Sequence, residues 1–293
     1  MSGSGPLCES GEGPRWDDSR QELTWVDLTA GRLHVASVDG PCLQEPVRTC
    51  GTGSRTLGIA VPLPSSGWLV ATGPSLARLS MMGSLQHLAT LERPGHRLND
   101  GACDPRGRFW VGGMADDARP GSGSLFRVDL DGSVSRVLVD MTHPNGLGWS
   151  PDGGTMYVTD SGVREITAYD YDVGSGWLGG PRPFVRLDDG GVPDGLCVDS
   201  GGGVWVATST GRQVRRFAPD GTVTMILDVP APRVSACAFV GPERDVLAVT
   251  TGSSGGLPEG RLFLYPTRAR GLPSPPFSGE LPRGGEDLVA RLF

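Results

Sequence analysis

Asn145-Gly146-Leu147-Gly148-Trp149-Ser150-Pro151-Asp152-Gly153-Gly154-Thr155-Met156-Tyr157-Val158 holds one structural unit of this chain in full. A short apolar run opens on a glycine, breaks at a Pro/Asp/Gly turn and resumes as Met, Tyr and Val, which is the chemistry of a β-hairpin. The unit recurs on both sides. Asp194-Gly195 leads through Val198, Asp199 and Gly203 to Val204-Trp205-Val206, and Asp100-Gly101 leads through Asp104 and Gly107 to Phe109-Trp110-Val111. Glu12-Gly13, with Trp16 and Asp17, leads into Leu23-Thr24-Trp25-Val26. Weaker copies start at Leu57-Gly58, before Trp68-Leu69-Val70, and at Ser235-Ala236, before Val246-Leu247-Ala248-Val249. The leading positions are 12, 57, 100, 145, 194 and 235, with spacings of 45, 43, 45, 49 and 41 residues.

Six β-rich units at a period of roughly 40–50 residues are the signature of propeller blades. One hairpin cannot bury its own face, so neighbouring blades must complete each core by radial packing. Helical solenoids share such periods, but they need apolar residues at i, i+3 and i+4, and no sustained run of that kind is present. The 46 glycines and 25 prolines suit many tight turns rather than long helices. The expected architecture is all-β: a single six-bladed β-propeller domain over residues 1–293. The Pro/Gly-rich end, from Pro273-Ser274-Pro275-Pro276 through Gly284-Gly285, reads as a loosely attached tail over about 273–293.

Composition narrows the function. A formal charge of −7 leaves no basic surplus to release counterions from nucleic acid. Arg215-Arg216 therefore reads as a solvated strand face. No apolar run approaches the ~20 residues of a membrane span, and the start Met1-Ser2-Gly3-Ser4-Gly5 lacks a secretory apolar core. The expectation is a soluble cytoplasmic protein that acts on a small molecule, without nucleic-acid or membrane partners; oligomeric state is not legible. All 26 basic residues are arginine. The lack of lysine removes Schiff-base, phosphate-loop and Ser-Lys chemistry together, and it suggests the codon bias of a high-GC bacterium. The six cysteines, at 8, 42, 50, 103, 197 and 237, include no Cys-x-x-Cys and read as reduced thiols.

Two other motifs read as structure. Gly252-Ser253-Ser254-Gly255-Gly256 fits G-x-S-x-G, yet Leu257-Pro258-Glu259-Gly260 follows where a nucleophile elbow needs a helix. Asp129-Leu130-Asp131-Gly132 begins like a calcium loop without its remaining ligands, and reads as a hairpin turn. His34 and His87 read as surface residues, whereas His96 and His143 are candidates to line a pocket mouth.

The leading positions carry the chemistry. Inner strands of a propeller converge on a central channel, so equivalent positions of different blades meet there. Glu12, Asn145 and Asp194 share one register, and Asn99-Asp100 occupies it in a fourth blade. Asn99 and Asn145 are the only asparagines of the chain. Taken singly, each Asn-Gly or Asp-Gly reads as a turn. Taken together, two carboxylates and one or two amides are oxygen donors for a hard divalent cation such as calcium, magnesium or manganese.

Gly11-Glu12-Gly13-Pro14-Arg15-Trp16, Arg97-Leu98-Asn99-Asp100-Gly101 with Gly112-Gly113-Met114, Pro144-Asn145-Gly146-Leu147, and Pro193-Asp194-Gly195-Leu196-Cys197-Val198-Asp199 give the chain a resemblance to a known family. It resembles the regucalcin/gluconolactonase, or sugar lactonase, family of six-bladed propellers. The resemblance implies a metal-dependent lactonase with Glu12, Asn145 and Asp194 as ligands of one divalent metal at the central channel, calcium first, with zinc, manganese or magnesium as alternatives. It further implies Asp194 as the catalytic base and Arg97 and Asn99 as contacts to substrate or to water on the metal, while Asp100, His96 and His143 remain pocket-lining candidates. Family members often carry a glutamate before the strand matching Leu125-Phe126-Arg127, where this chain has Arg119-Pro120-Gly121-Ser122-Gly123-Ser124. The departure bears on which substrate is taken. The same ligands would also serve a non-sugar ester or phosphoester, an isomerisation or cyclisation, or a propeller that binds metal without catalysis.

Overall fold

A computed structural model describes residues 3–54, 56–253, 260–282 and 286–293. Six four-stranded antiparallel meanders follow one another around a ring. Blade I is Gly11–Asp17, Glu22–Asp27, Arg32–Ala36 and Arg48–Gly51; blade II is Ile59–Pro62, Trp68–Thr72, Ser75–Leu79 and Leu85–Thr90. Blade III is His96–Cys103, Phe109–Ala115, Gly123–Val128 and Val134–Met141; blade IV is Pro144–Trp149, Thr155–Asp160, Glu165–Asp172 and Trp177–Arg186. Blade V is Pro193–Val198, Val204–Thr208, Gln213–Phe217 and Val223–Asp228. Blade VI takes three strands from the end of the repeat region, Arg233–Val240, Val246–Gly252 and Gly260–Pro266, and its fourth from the N-terminal segment Ser4–Cys8. The first strand given for each blade lies beside that of the next, and Arg233–Val240 of blade VI returns to Gly11–Asp17 of blade I.

The core bears out radial packing. Each cluster of buried apolar residues is shared by two neighbouring blades: Val26 and Leu33 of blade I meet Trp68 and Val70 of blade II, and Leu69 and Leu76 of blade II meet Phe109 and Phe126 of blade III. The pattern continues around the ring to blades VI and I, where Leu262 and Leu264 meet Trp16 and Trp25. Within a blade, the aspartate after the inner strand shapes the turn. Asp104 accepts from the backbone N–H of Arg106 and Arg108, and Asp199 accepts from those of Gly201 and Gly203 and from Trp205 Nε1.

Several local expectations change. His34 is buried, with Nδ1 at 2.9 Å from Thr49 Oγ1 and its ring against Trp25, because its strand is flanked by two blades rather than by solvent. Arg216 is only part of a solvated face, since its Nε donates to the buried Asp199 at 2.7 Å. The Asp129–Gly132 segment is a hairpin turn, closed by Gly132 N–H donating to Asp129 O at 3.0 Å. The last three residues of the G-x-S-x-G match, 254–256, lie outside the described residues. The described part of the C-terminal stretch packs on the ring: residues 273–275 lie against the inner strands, Phe277 is fully buried, Glu286–Asp287 pairs in parallel with Ala89 and Thr90 of blade II, and Arg136 of blade III stands over the ring of Phe293. Among the described residues no helix is long and apolar enough to cross a membrane.

Candidate functional site

The leading residues sit on β-bulges. In five of the six blades the pairing of the inner strand with its neighbour shifts register, between Glu12 and Arg15, Leu98 and Gly101, Pro144 and Leu147, Pro193 and Leu196, and Val234 and Ala236. A bulge puts an extra residue on one strand and re-aims its side chain. The neighbouring glycine has a different task. A Cβ at Gly146 would stand 2.3 Å from Leu196 N, and one at Gly195 would stand 2.5 Å from Ala236 Cβ, so these glycines let adjacent inner strands pack backbone to backbone. The residue before each is thereby free to be chosen for chemistry.

Three bulges bring Glu12, Asn145 and Asp194 together, all buried. Asn145 Nδ2 donates to Asp194 Oδ1 and, at 3.2 Å, to Ser161 Oγ. Ser161 Oγ in turn donates to Pro193 O at 2.6 Å, fixing the asparagine between blades IV and V. Asn99, also buried, donates from Nδ2 to Pro144 O at 3.0 Å and ties blade III to blade IV. For both asparagines the amide oxygen accepts no hydrogen bond from a described residue. Glu12 Oε1 has Arg233 Nη2 at 3.6 Å, and the same Nη2 donates to Ser10 Oγ at 2.7 Å.

Electrostatics mark this as an unbalanced site. Burial and the neighbouring Asp194 charge hold the Glu12 carboxyl well above the usual range. Burial, with help from Asp100, pushes Asp194 up to about 7 against the opposing pull of Arg233 and of hydrogen bonds from Asn145 and Gly195 N–H. Asp100 is itself raised by burial, although it accepts from Gly101 N–H at 2.7 Å. Two buried carboxylates that resist ionisation side by side, together with an asparagine oxygen left without a donor, form an oxygen set that a hard divalent cation would neutralise. The fit depends on the amide: among the described residues no three His, Cys, Asp or Glu side chains gather into a metal-sized group.

Arg97 stands close enough to Glu12 to feel its charge, and the one ion pair it makes among the described residues, to Asp116, is long at 3.9 Å. Its Nε is buried without an acceptor. His143 lies within the fields of Arg97 and Arg233; burial first, then those cations, lowers it to about 4, so it is neutral at pH 7. His96 is different. It is buried, Arg93 Nε donates to its Nε2 at 3.3 Å, and the charges that act on it are those of Arg93, Arg119 and Asp116 rather than of the channel carboxylates. Sequence reasoning missed Arg233 and Ser161. Arg233 lies two residues before the leading Ser235 and Ser161 follows the second strand of blade IV, so neither shares the register that revealed the others.

Comparison with known proteins bears on the family and the fold. The model of the family described as "SMP-30/Gluconolactonase/LRE-like region" matches residues 10–253. A pentonolactonase of Haloferax volcanii is 34% identical over 250 residues, covering 85% of this chain and 84% of its own. An L-arabinolactonase of Azospirillum brasilense is 35% identical over 289 residues, covering 94% and 93%. Among solved structures, a calcium-binding protein, regucalcin, from Agrobacterium tumefaciens superposes with a TM-score of 0.86 at 26% identity, covering 93% of this chain and 95% of its own.

Proposed function

The chain belongs to the SMP-30/gluconolactonase/LRE-like family, and from that premise we propose that it is a metal-dependent lactonase, hydrolysing the ester of a sugar lactone at the channel mouth. The observation that carries this reading is the convergence of Glu12, Asn145 and Asp194 from bulges on three inner strands. The names pentonolactonase and L-arabinolactonase carried by two relatives support a lactone as the substrate class. The spacing of the six cysteines, with no Cys-x-x-Cys among them, supports a reducing, cytoplasmic setting.

Glu12, Asn145 and Asp194 would hold one divalent cation, calcium being the ion named for the Agrobacterium relative. When bound, it supplies Lewis acidity toward the lactone carbonyl and makes water a better nucleophile. Asp194, whose carboxylate stands beside Asn145 at the centre of the site, serves as general base. Arg97 offers a guanidinium whose Nη1 is held only by a long 3.9 Å contact to Asp116, and so can turn to charge developing on the carbonyl oxygen. Asn99 is held by Pro144 O with its amide oxygen free to accept from a substrate hydroxyl. Asp100 and His143 complete the wall, and neutral His143 adds no charge to it.

Elemental analysis of the purified protein, joined to a pH-indicator screen of sugar lactones, non-sugar lactones, esters and phosphoesters, tests the proposal. Bound divalent metal with chelator-sensitive acid release from a sugar lactone is the expected result. Turnover of non-sugar esters alone would transfer the same site to another substrate. Metal-free protein that shows no hydrolysis after calcium, zinc, manganese or magnesium is added would overturn the reading.

A further inference from the structure

The other end of the channel holds a cavity of a different character. It is open on one side and has a volume of about 270 Å³, that of roughly nine liquid waters. The downstream halves of the inner strands of blades I, III, IV, V and VI line it, together with the segment 272–275. Trp16, Trp149, Cys103, Cys197 and Phe239 make its wall largely apolar, and among the described residues Arg15 is the only charged side chain in the lining. Arg15 is incompletely satisfied. Its Nη2 donates to Gly101 O, its Nε is buried without an acceptor, and it forms no ion pair with a described carboxylate. A cation against apolar walls is costly unless an anion meets it. Asp100 lies near enough to feel the Arg15 charge but not within ion-pair distance of it, so the guanidinium meets no carboxylate oxygen directly among the described residues.

We infer that this cavity is a second binding site, selective for a compact apolar monocarboxylate of about the size of hexanoate, with the carboxylate on Arg15 and the hydrocarbon body between Trp16, Trp149 and Phe239. Each property of the space excludes a class of ligand. A neutral molecule leaves the guanidinium unpaired, an amine repels it, and a sugar acid strands its hydroxyls against walls that offer few partners. The site is therefore chemically distinct from the carboxylate-lined mouth and does not depend on what reaction occurs there.

Calorimetric titration of the native protein with hexanoate, hexanol and hexylamine, repeated after chelator treatment and after calcium loading, tests the inference. Tryptophan fluorescence supplies a local readout, because Trp16 and Trp149 line the cavity. Hexanoate should bind saturably, at least tenfold tighter than hexanol, with hexylamine not binding, and chelation should leave these values unchanged. Arg15→Met should bring hexanoate down to the affinity of hexanol. Ala238→Leu, which fills the cavity and leaves Arg15 in place, should abolish both. No saturable hexanoate binding, equal binding of hexanol, survival of binding in Ala238→Leu, or its loss on chelation each overturns the site. Should Arg15→Met fail to fold, the selectivity series on the native protein and Ala238→Leu decide the question.

Discussion

At the scale of single residues, Asp194 and Arg97 are separable because each substitution leaves a different set of groups behind. Asp194→Asn keeps an oxygen donor beside Asn145 and Glu12 but removes the base. Metal content should persist while turnover falls by a factor on the order of 10²–10⁴. Arg97→Ala leaves all three oxygen donors intact, so metal content should be normal and the loss should appear in KM if Arg97 binds the ground state, or in kcat if it meets only the transition state. Full activity in Asp194→Asn would remove the assigned base, and metal loss in Arg97→Ala would make that arginine a support of the channel instead. A second prediction concerns pH. A carboxyl whose folded pKa is raised, as at Asp194 to about 7, keeps its proton in the folded state after the unfolded chain has lost it. Stability of the metal-free protein is thus eroded as pH rises from the ordinary carboxylate value to about 7, and a cation that needs the ionised form recovers that loss. The rise in Tm on adding calcium to chelated protein should therefore grow steadily between about pH 5 and 8. Taking the difference between the two samples removes His34, lowered by burial to about 4, and Glu92, raised by burial to about 7, which titrate alike in both. A calcium increment that is flat with pH would separate metal binding from these carboxylates.

At the scale of the strand, the inner-strand bulge reconciles two demands that compete in one dipeptide. Gly146 and Gly195 admit the neighbouring backbone, and Asn145 and Asp194 are turned toward their shared neighbours. Gly146→Ala would drive a Cβ to 2.3 Å from Leu196 N, a backbone atom that cannot swing aside. Overpacking of this kind costs about 1–3 kcal/mol. Urea unfolding should show a matching fall in midpoint, together with weaker metal binding as blades IV and V separate. Gly51→Ala is the control, since nothing lies within 4 Å of its added Cβ, and it should be neutral. This packing also explains what the sequence could reveal. The Asn-Gly and Asp-Gly pairs repeat because every blade faces the same steric problem at the same position, and repetition is legible without a structure. His34 was misjudged for the opposite reason: one polar residue on an alternating strand reads as exposed, whereas propeller strands are covered on both faces by adjacent blades. Arg233 and Ser161 act through contacts between blades, to Ser10 and Pro193, that no local pattern encodes.

At the scale of the whole molecule, closure of the ring depends on the segment that was hardest to read. Ser4–Cys8 is short, contains Gly5 and Pro6, and shows little strand propensity, yet it supplies the fourth strand of blade VI by pairing Ser4 with Leu262 and Cys8 with Gly260. Only the tertiary demand to cover blade VI selects it. It also runs directly into the site: Glu9 N–H and Ser10 N–H donate to Asp27 at 2.9 and 3.0 Å, Ser10 Oγ accepts from Arg233, and Glu12 follows two residues later. Closing the ring and placing the first oxygen donor are one structural event. Removal of residues 1–8 should therefore uncover blade VI beside Leu262 and Trp25, lower the urea midpoint strongly, and reduce calcium affinity even in the fraction that remains folded. Removal of residues 286–293 is the matched comparison. It strips a two-residue parallel pairing and the Phe293 contact from blades II and III, but leaves the ring closed, so it should cost less stability and leave calcium affinity unchanged. Calorimetric titration with calcium alongside urea unfolding of both truncations distinguishes the cases. If the N-terminal truncation binds calcium like the full chain, Glu12 does not depend on ring closure; if the C-terminal truncation loses the ion as well, global destabilisation rather than the closing strand governs the site.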